Sequence, residues 1–425
     1  MTNYKKKLKM NKRYFLIVLT FLLAEIYSFA QHNVNSPYSM FGIGYIEPGG
    51  VGRNKAMGGA GIALPSEYTL NNLNPASYRS IDSMNFIFEA GVNGIYSKFK
   101  SNTQSQENTN GNFAYLAAGF RINRWWANSI GIGPYSNVGY KINGKKQIEG
   151  SLDYADIKIE GSGGLNKFYW GHSIKFNKNF SIGVNASYLF GVIYQTQTTT
   201  TSTKYMSGAI TIEDESRLKN FHFDYGAQYS FKINSGLQGM IGAVYGSKTK
   251  LKRNQDFNIT SSRDTLLSEP VRSGDFYIPE YYGFGAALKI KDKFIVTGDY
   301  TQSNWEATDN TASSLKYVNS NNFAFGMEFI PSTKPSARYM QIVRYRLGGY
   351  YENSYMQING KQLKDYGVTA GIGFPLMRGK TFVNLALSAG FKGDPNSGTV
   401  INEIYYKVHL NFTLFDFWFN RSKFD

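Results

Sequence analysis

No cysteine occurs anywhere in the 425 residues, which excludes disulfides, thiolate metal sites and a cysteine nucleophile. Histidine is almost as scarce. His32, His172, His222 and His409 stand far apart, with no His-x-x-x-His pair, and there is no Gly-x-Ser-x-Gly elbow and no complete Gly-x-Gly-x-x-Gly loop. The chain therefore reads as a non-enzyme without cofactor or metal. Only 18% of residues are charged, and the lysines and arginines behind a formal charge of +16 are scattered rather than gathered into runs, which argues against a nucleic-acid partner. The acidic triplet Glu213, Asp214 and Glu215 reads as solvated loop charge. Long apolar runs are missing too: past residue 30, none is long enough for a membrane helix.

The first thirty residues stand apart from the rest. Lys5, Lys6, Lys7, Lys9, Lys12 and Arg13 precede the apolar run YFLIVLTFLLAEIYSFA, which ends in the small-x-small site Ser28-Phe29-Ala30. This pattern predicts a secretory leader, residues 1–30, cleaved after Ala30. Glu25 inside the run tells against an anchoring helix. With no cysteine behind it, a lipid-anchored amino terminus is excluded.

What the chain has in abundance is aromatic residues and glycine: 32 Tyr, 31 Phe and 44 Gly. An exported chain of this kind suits an outer-membrane β-barrel, which alternates lipid-facing and lumen-facing residues between aromatic girdles. Periodicity agrees. From Met84 to Tyr96, Phe86, Phe88, Ala90, Val92 and Tyr96 share one face, while Asn85, Glu89 and Asn93 share the other. Eleven further stretches alternate in the same way, from Ala114–Ile122 to Ile404–Leu414, and weaker ones run over Trp126–Ile142 and Lys158–Phe176. About fourteen strands result, an even number as such barrels require.

The connections alternate between two lengths. Tight turns are expected at 122–125, 177–179, 233–236, 291–293, 331–337 and 375–380; long polar loops at 98–112, 143–156, 195–219, 247–277, 302–320, 352–364 and 392–401. A soluble sandwich or propeller gives no reason for this alternation. Short periplasmic turns and long external loops do, and both chain ends are then expected in the periplasm. Lys175, Lys178, Lys291, Lys293 and Arg378 near the short turns either meet anionic headgroups or merely end strands.

No linker divides residues 83–425, so one barrel is expected there, with residues 31–82 as a separate amino-terminal hatch segment. A barrel this wide encloses more space than its own side chains fill. The stretch RNKAMGGAGIALPSEYTLNNLNPASYRSI, from Arg53 to Ile81, is the candidate filler. Gly58, Gly59 and Gly61 are expected to approach the wall closely, and Asn71, Asn72, Asn74, Pro75 and Ala76 to make tight turns. Within the third strand, Gly131, Gly133 and Pro134 mark either a candidate wall opening, since proline cannot donate to the ladder, or a bulge that only adjusts curvature.

The hatch stretch GRNKAMGGAGIALPSEYTLNNLNPAS, Gly52 to Ser77, resembles the hatch motif of the FadL/TodX family of outer-membrane channels, in which a Gly/Ala run leads to an NPAG turn. Further similarity lies in IGIGPYSNVGY (130–140), in 163–191 and in 277–305, although NPAS stands here for NPAG and the chain finishes with Phe424 penultimate. The resemblance implies passive uptake of hydrophobic small molecules past a luminal hatch and sideways through a gap in the wall. Its partners would be outer-membrane lipids and an apolar ligand. The alternative expectation is a non-transporting accessory barrel held by other subunits of an outer-membrane secretion or barrel-assembly complex.

Overall fold

Alternation along each strand dictates a wall with an oily outside and a polar inside, and such a wall satisfies its backbone only by closing on itself. In a computed structural model the chain does so with fourteen antiparallel strands. The structure describes residues 36–425 except 84, 102–103, 203–206, 262–263, 272–274, 309–314, 335, 377–380, 395–399 and 418–425. The leader, Arg378 and Phe424 lie outside the described residues.

In order the strands are β1 (Asn85–Lys100), β2 (Ser105–Arg121), β3 (Trp126–Gln147), β4 (Tyr154–Lys175), β5 (Phe180–Ser202) and β6 (Ser207–Asn234). Then come β7 (Leu237–Gly246, resumed at Thr249–Ser261), β8 (Thr265–Val271, Phe276–Ile278 and Tyr281–Ile290), β9 (Phe294–Ser303) and β10 (Leu315–Tyr317 and Ser320–Phe329). The ring is completed by β11 (Arg344–Ile358), β12 (Lys361–Leu376), β13 (Thr381–Gly393) and β14 (Asn402–Phe417). Strand β14 pairs with β1 from Asn402 opposite Lys100 down to Phe417 opposite Asn85, which closes the barrel.

Strand β14 shows the two-faced pattern plainly. Ile404, Tyr406, Val408, Leu410 and Phe412 are exposed on the outside, while Glu403, Tyr405, His409, Asn411 and Thr413 are buried inside. Aromatic side chains on neighbouring strands meet in a girdle: Tyr96 with Tyr406 (ring centroids 6.3 Å apart), Tyr351 with Tyr366 (6.3 Å) and Tyr366 with Phe391 (5.4 Å). This is a transmembrane outer-membrane barrel.

The structure differs from expectation at the long connections. Much of 98–112, 195–219 and 352–364 is paired strand, with Lys100 opposite Ser105, Ser202 opposite Ser207 and Ile358 opposite Lys361. Beyond the bilayer the outward face no longer has to be apolar, so alternation fades from the sequence while the hydrogen-bond ladder continues. The 358–361 hairpin turns on Asn359 and Gly360, both at positive φ (52° and 77°), as a two-residue type I′ turn requires.

Residues 36–82 form four short pieces: three 3₁₀ turns (Pro37–Met40, Asn54–Met57, Pro75–Ser80) and a two-residue strand, Tyr45–Ile46. They pack on inward-facing side chains from all round the ring. Ile43 joins Val138, Leu165, Leu189 and Leu251, and Tyr38 joins Trp305, Tyr355 and Leu363. Leu70, Tyr78 and Ile81 pack with Ile87 and Ala117, and Met57 and Leu64 with Met240 and Ala287. The segment thus runs inside the ring. Ser36 lies level with Gly139 and Glu403 in the long-hairpin half, whereas Arg79 reaches the short turn at Lys178. The first described residue, Ser36, therefore lies in the long-hairpin half.

Candidate functional site in the lumen

The short-turn half of the lumen is filled by the segment from Arg53 to Ile81, and the wall is shaped to receive it. At Gly183 a side chain would strike the carbonyl carbon of Pro75 at 2.4 Å; at Gly348 it would strike Met57 and Gly58 backbone at 2.3 Å. Gly226, Gly242, Gly326 and Gly371 are occupied in the same way by Asn74, Ile62, Met57 and Ala56. Several of the wall's glycines are therefore contact positions for the segment's backbone.

The motif residues find varied roles. Gly58, at φ 67°, donates its N–H to Thr369 Oγ1 (2.8 Å), and a side chain there would meet Gly349 O at 2.3 Å. Gly59 departs from expectation. Nothing lies within 4 Å of where its side chain would be, and its φ of 87° is what calls for glycine. Gly61 abuts Asn54 of the segment itself rather than the wall, while its N–H donates to Asp299 Oδ2 at 2.6 Å. Asn71 Nδ2 donates to the carbonyls of Gly61 and Leu64, both at 2.7 Å. Asn74 caps the 3₁₀ turn by accepting from Ala76 N (3.0 Å) and reaches the wall at Ala227 O (3.0 Å). Pro75 opens that turn, and the carbonyl of Ala76 accepts from Ser173 and Ser181 hydroxyls, both at 3.0 Å. Asn72 faces the cavity described below, with its buried Oδ1 unpartnered. Ser77, standing where the resembled motif has glycine, keeps a negative φ and donates to Asn71 O at 2.7 Å. The turn survives the substitution because no left-handed residue is needed there.

Three carboxylates that sequence reading did not single out, the buried Glu328 and Glu89 and the half-buried Asp299, hold the segment in place. Glu328 accepts from Arg53 (3.1 Å), Arg344 (3.2 Å) and Arg346 (2.6 Å), with Arg346 also bonded to Asn384 (2.8 Å). Asp299 receives the N–H groups of Gly61 and Ile62, and Glu89 that of Leu70 (2.9 Å). A signal was present: each is a lone acid at an inward-facing strand position, where an isolated charge needs a partner.

The long-hairpin half is less filled. A cavity of about 470 Å³ lies between residues 45–59 and the wall, and Lys55, Lys167, Lys392, Lys407, Asp224 and Asp299 face it. Lys392 Nζ lies 4.0 Å from the Tyr45 ring centroid and Lys407 Nζ 5.4 Å from it. Burial pulls Lys55 down to about 8, with Lys407 adding to the fall and Glu47 opposing it. The cavity also touches Gly133 and Pro134. There the β2–β3 ladder ends, its last pair being Leu116 with Ile132, and the β3–β4 register shifts between Pro134 and Ser136. Gly131, in that last stretch, is pressed by the Tyr169 ring. The edge of β3 that β2 leaves is taken up by the segment: Tyr45 and Ile46 pair with Asn137 and Ser136, and Glu47 N donates to Tyr135 O at 3.0 Å.

Fold and lumen together define a membrane barrel of the FadL type. Solved structures with this fold include the Pseudomonas putida toluene transporter TodX (14% identity, TM-score 0.58, covering 88% of this chain and all of that one). A Pseudomonas aeruginosa FadL homologue (12%, 0.57, 88% and 99%) and the Ralstonia pickettii toluene transporter TbuX (16%, 0.54, 86% and 98%) share it too. At these identities the likeness is one of fold. A comparison with curated protein sequences finds no match. The model of the BamG family matches residues 10–425, and the chain belongs to that family.

Proposed function

We propose that this chain is a non-transporting accessory barrel of an outer-membrane secretion or barrel-assembly complex, with residues 31–82 as a hatch that closes its lumen. The observation carrying this reading is the chemistry of the remaining cavity. An apolar molecule there would lie against the ammonium groups of Lys55, Lys392 and Lys407, which have no carboxylate oxygen within 4.0 Å among the described residues, and would offer them no hydrogen bond, at a cost of about several kcal/mol for each stranded charge. The apolar surfaces of the outer lumen, around Ile43 and Tyr38, are already covered by the segment. Short turns then face the periplasm and long hairpins the exterior. The test is depletion of the protein in cells. The reading expects other outer-membrane barrels to fall in abundance, and unchanged levels of those barrels would sink it.

Passive uptake of hydrophobic small molecules is the second reading, favoured by one observation. The cavity touches the end of the β2–β3 ladder at Gly133 and Pro134, which would then be a lateral opening. Toluene entry into liposomes carrying the purified barrel, faster than into empty ones, would establish it over the first.

A further inference from the structure

On the short-turn rim the inward-facing ends of three strands are basic. Arg121 ends β2 on the side of Ala117 and Gly119, Lys175 ends β4 on the side of Ser173, and Lys232 follows Gln228 and Ser230 on β6. That side is the lumen, since Ser173 and Gln228 donate to the segment's Ala76 and Ile62 carbonyls (3.0 and 2.8 Å). Arg79, on the segment, stands among them and donates to Lys178 O at 3.3 Å and Ser230 Oγ at 3.2 Å. Arg121 likewise donates to the turn carbonyls of Asn123 (2.9 Å) and Arg124 (2.6 Å). Neutral acceptors orient these guanidiniums without cancelling their charge.

The charges also remain uncancelled by acids. Among the described residues, Arg79, Arg121, Lys175, Lys178 and Lys232 have no carboxylate oxygen within 4.0 Å, and Arg121, Arg79 and Lys178 all act on Lys175 as like charges. Elsewhere on the rim some bases are neutralised, Lys289 by Asp292 (3.0 Å) and Arg344 by Glu328 (3.2 Å), while Lys291 and Lys293 at the turn between β8 and β9 also have no carboxylate oxygen within 4.0 Å among the described residues; what sets the crescent apart is that its bases are gathered on the lumen side around Arg79. The turns bearing the crescent are tied together, Lys175 N to Trp125 O (2.8 Å) and Ser230 N to Asn179 O (2.9 Å), so the charges are held on a fixed frame. Like charges grouped in this way repel, and an opposite surface would relieve them. Lipid headgroups beside the wall are a poor fit, because Arg121, Lys175 and Arg79 stand on the lumen side. Passage of anions is equally poor, because Tyr78 and Ile81 are packed solidly behind them.

We propose that this crescent docks the acidic face of a protein partner on the short-turn side of the membrane. The proposal rests on the accessory-barrel reading and names the chemistry of the partner it needs. The probe is a short fluorescent polyglutamate peptide, titrated by anisotropy against the full-length barrel in detergent and in nanodiscs with and without phosphatidylglycerol. Binding to the native protein should weaken steeply with salt. The triple variant R121E/K175E/K232E should bind at least about tenfold more weakly, while K145E/K146E/K361E at the long-hairpin end should bind as the native protein does. Equal loss in both variants, or none in the first, overturns the proposal. So does a first variant that keeps the peptide but loses retained phosphatidylglycerol in native mass spectrometry, which would assign the crescent to lipid. Heat-modifiable migration checks that each variant is folded; if the triple variant is not, K232E alone and the salt dependence decide. Peptide binding without any fall of other barrels on depletion would leave the crescent standing and remove the accessory reading, so the two failures are distinguishable.

Discussion

The two halves of the lumen are built on opposite plans. In the short-turn half, Arg53 to Ile81 meets the wall across glycines and is tied to it by acids: Glu328 holds three arginines, and Asp299 accepts two N–H groups on one carboxylate oxygen. Toward the long hairpins, residues 36–52 cover apolar side chains and one free strand edge, and a cavity remains between residues 45–59 and the wall where Lys55, Lys392 and Lys407 have no carboxylate contact among the described residues. One half is a packed core that happens to lie inside a barrel. The other keeps an unfilled chamber lined by ammonium groups.

Removing the segment tests whether the packed half closes the barrel. A variant lacking residues 35–78 should still fold, since closure of β14 on β1 does not involve it, and should conduct ions in planar bilayers far better than the intact protein. An unchanged low conductance from a folded variant would mean that the long hairpins close the lumen. Within the packed half, the steepest single change is Glu328→Gln. It leaves three guanidiniums around a neutral amide, and breaking a buried ion cluster in this way costs about 3–5 kcal/mol. The midpoint of urea unfolding should fall accordingly, with residues 53–62 losing hydrogen-exchange protection first. Gly348→Leu is next, forcing a side chain onto the Met57 and Gly58 backbone for about 1–3 kcal/mol. Gly94→Leu is the control, with nothing within 4 Å, and should leave exchange of the segment unaltered.

How far the sequence revealed these two plans follows from what each depends on. The strands crossing the bilayer were legible because lipid demands alternation on every one of them, as Phe86, Phe88 and Val92 show on β1. Their extensions were not, since the Thr-rich run before Ser202 is paired without any apolar period. The segment's turn at Asn74 and Pro75 was readable from local chemistry, because capping needs only neighbours in sequence. Its wall contacts were hidden: Gly348 receives Met57 and Asp299 receives Gly61 across hundreds of residues, and no spacing records such pairs. Gly59 shows the limit from the other side, its glycine being required by backbone angle where contact was expected.

The smallest effect should come from the chamber, and its sign distinguishes a wet half from a second core. Lys55 is brought to about 8 by burial and by Lys407, against the ordinary lysine value of about 10.4. Between these two values the unfolded chain binds more protons than the folded one, so stability rises with pH across that window; below about 8 the ammonium is present in both states and the whole penalty remains. The urea midpoint of the native barrel should therefore climb between pH 8 and pH 10, beyond any change shown by Lys55→Met. Replacing the ammonium with an uncharged chain of similar length should raise stability at pH 7 and flatten the rise. The opposite outcome, a Lys55→Met variant less stable at pH 7, would mean that the ammonium is held by charge-assisted bonds beyond its 2.5 Å contact with Pro48 O, as Arg53 is in the packed half. The two halves would then be variants of one plan, and the cavity a packing defect rather than a chamber.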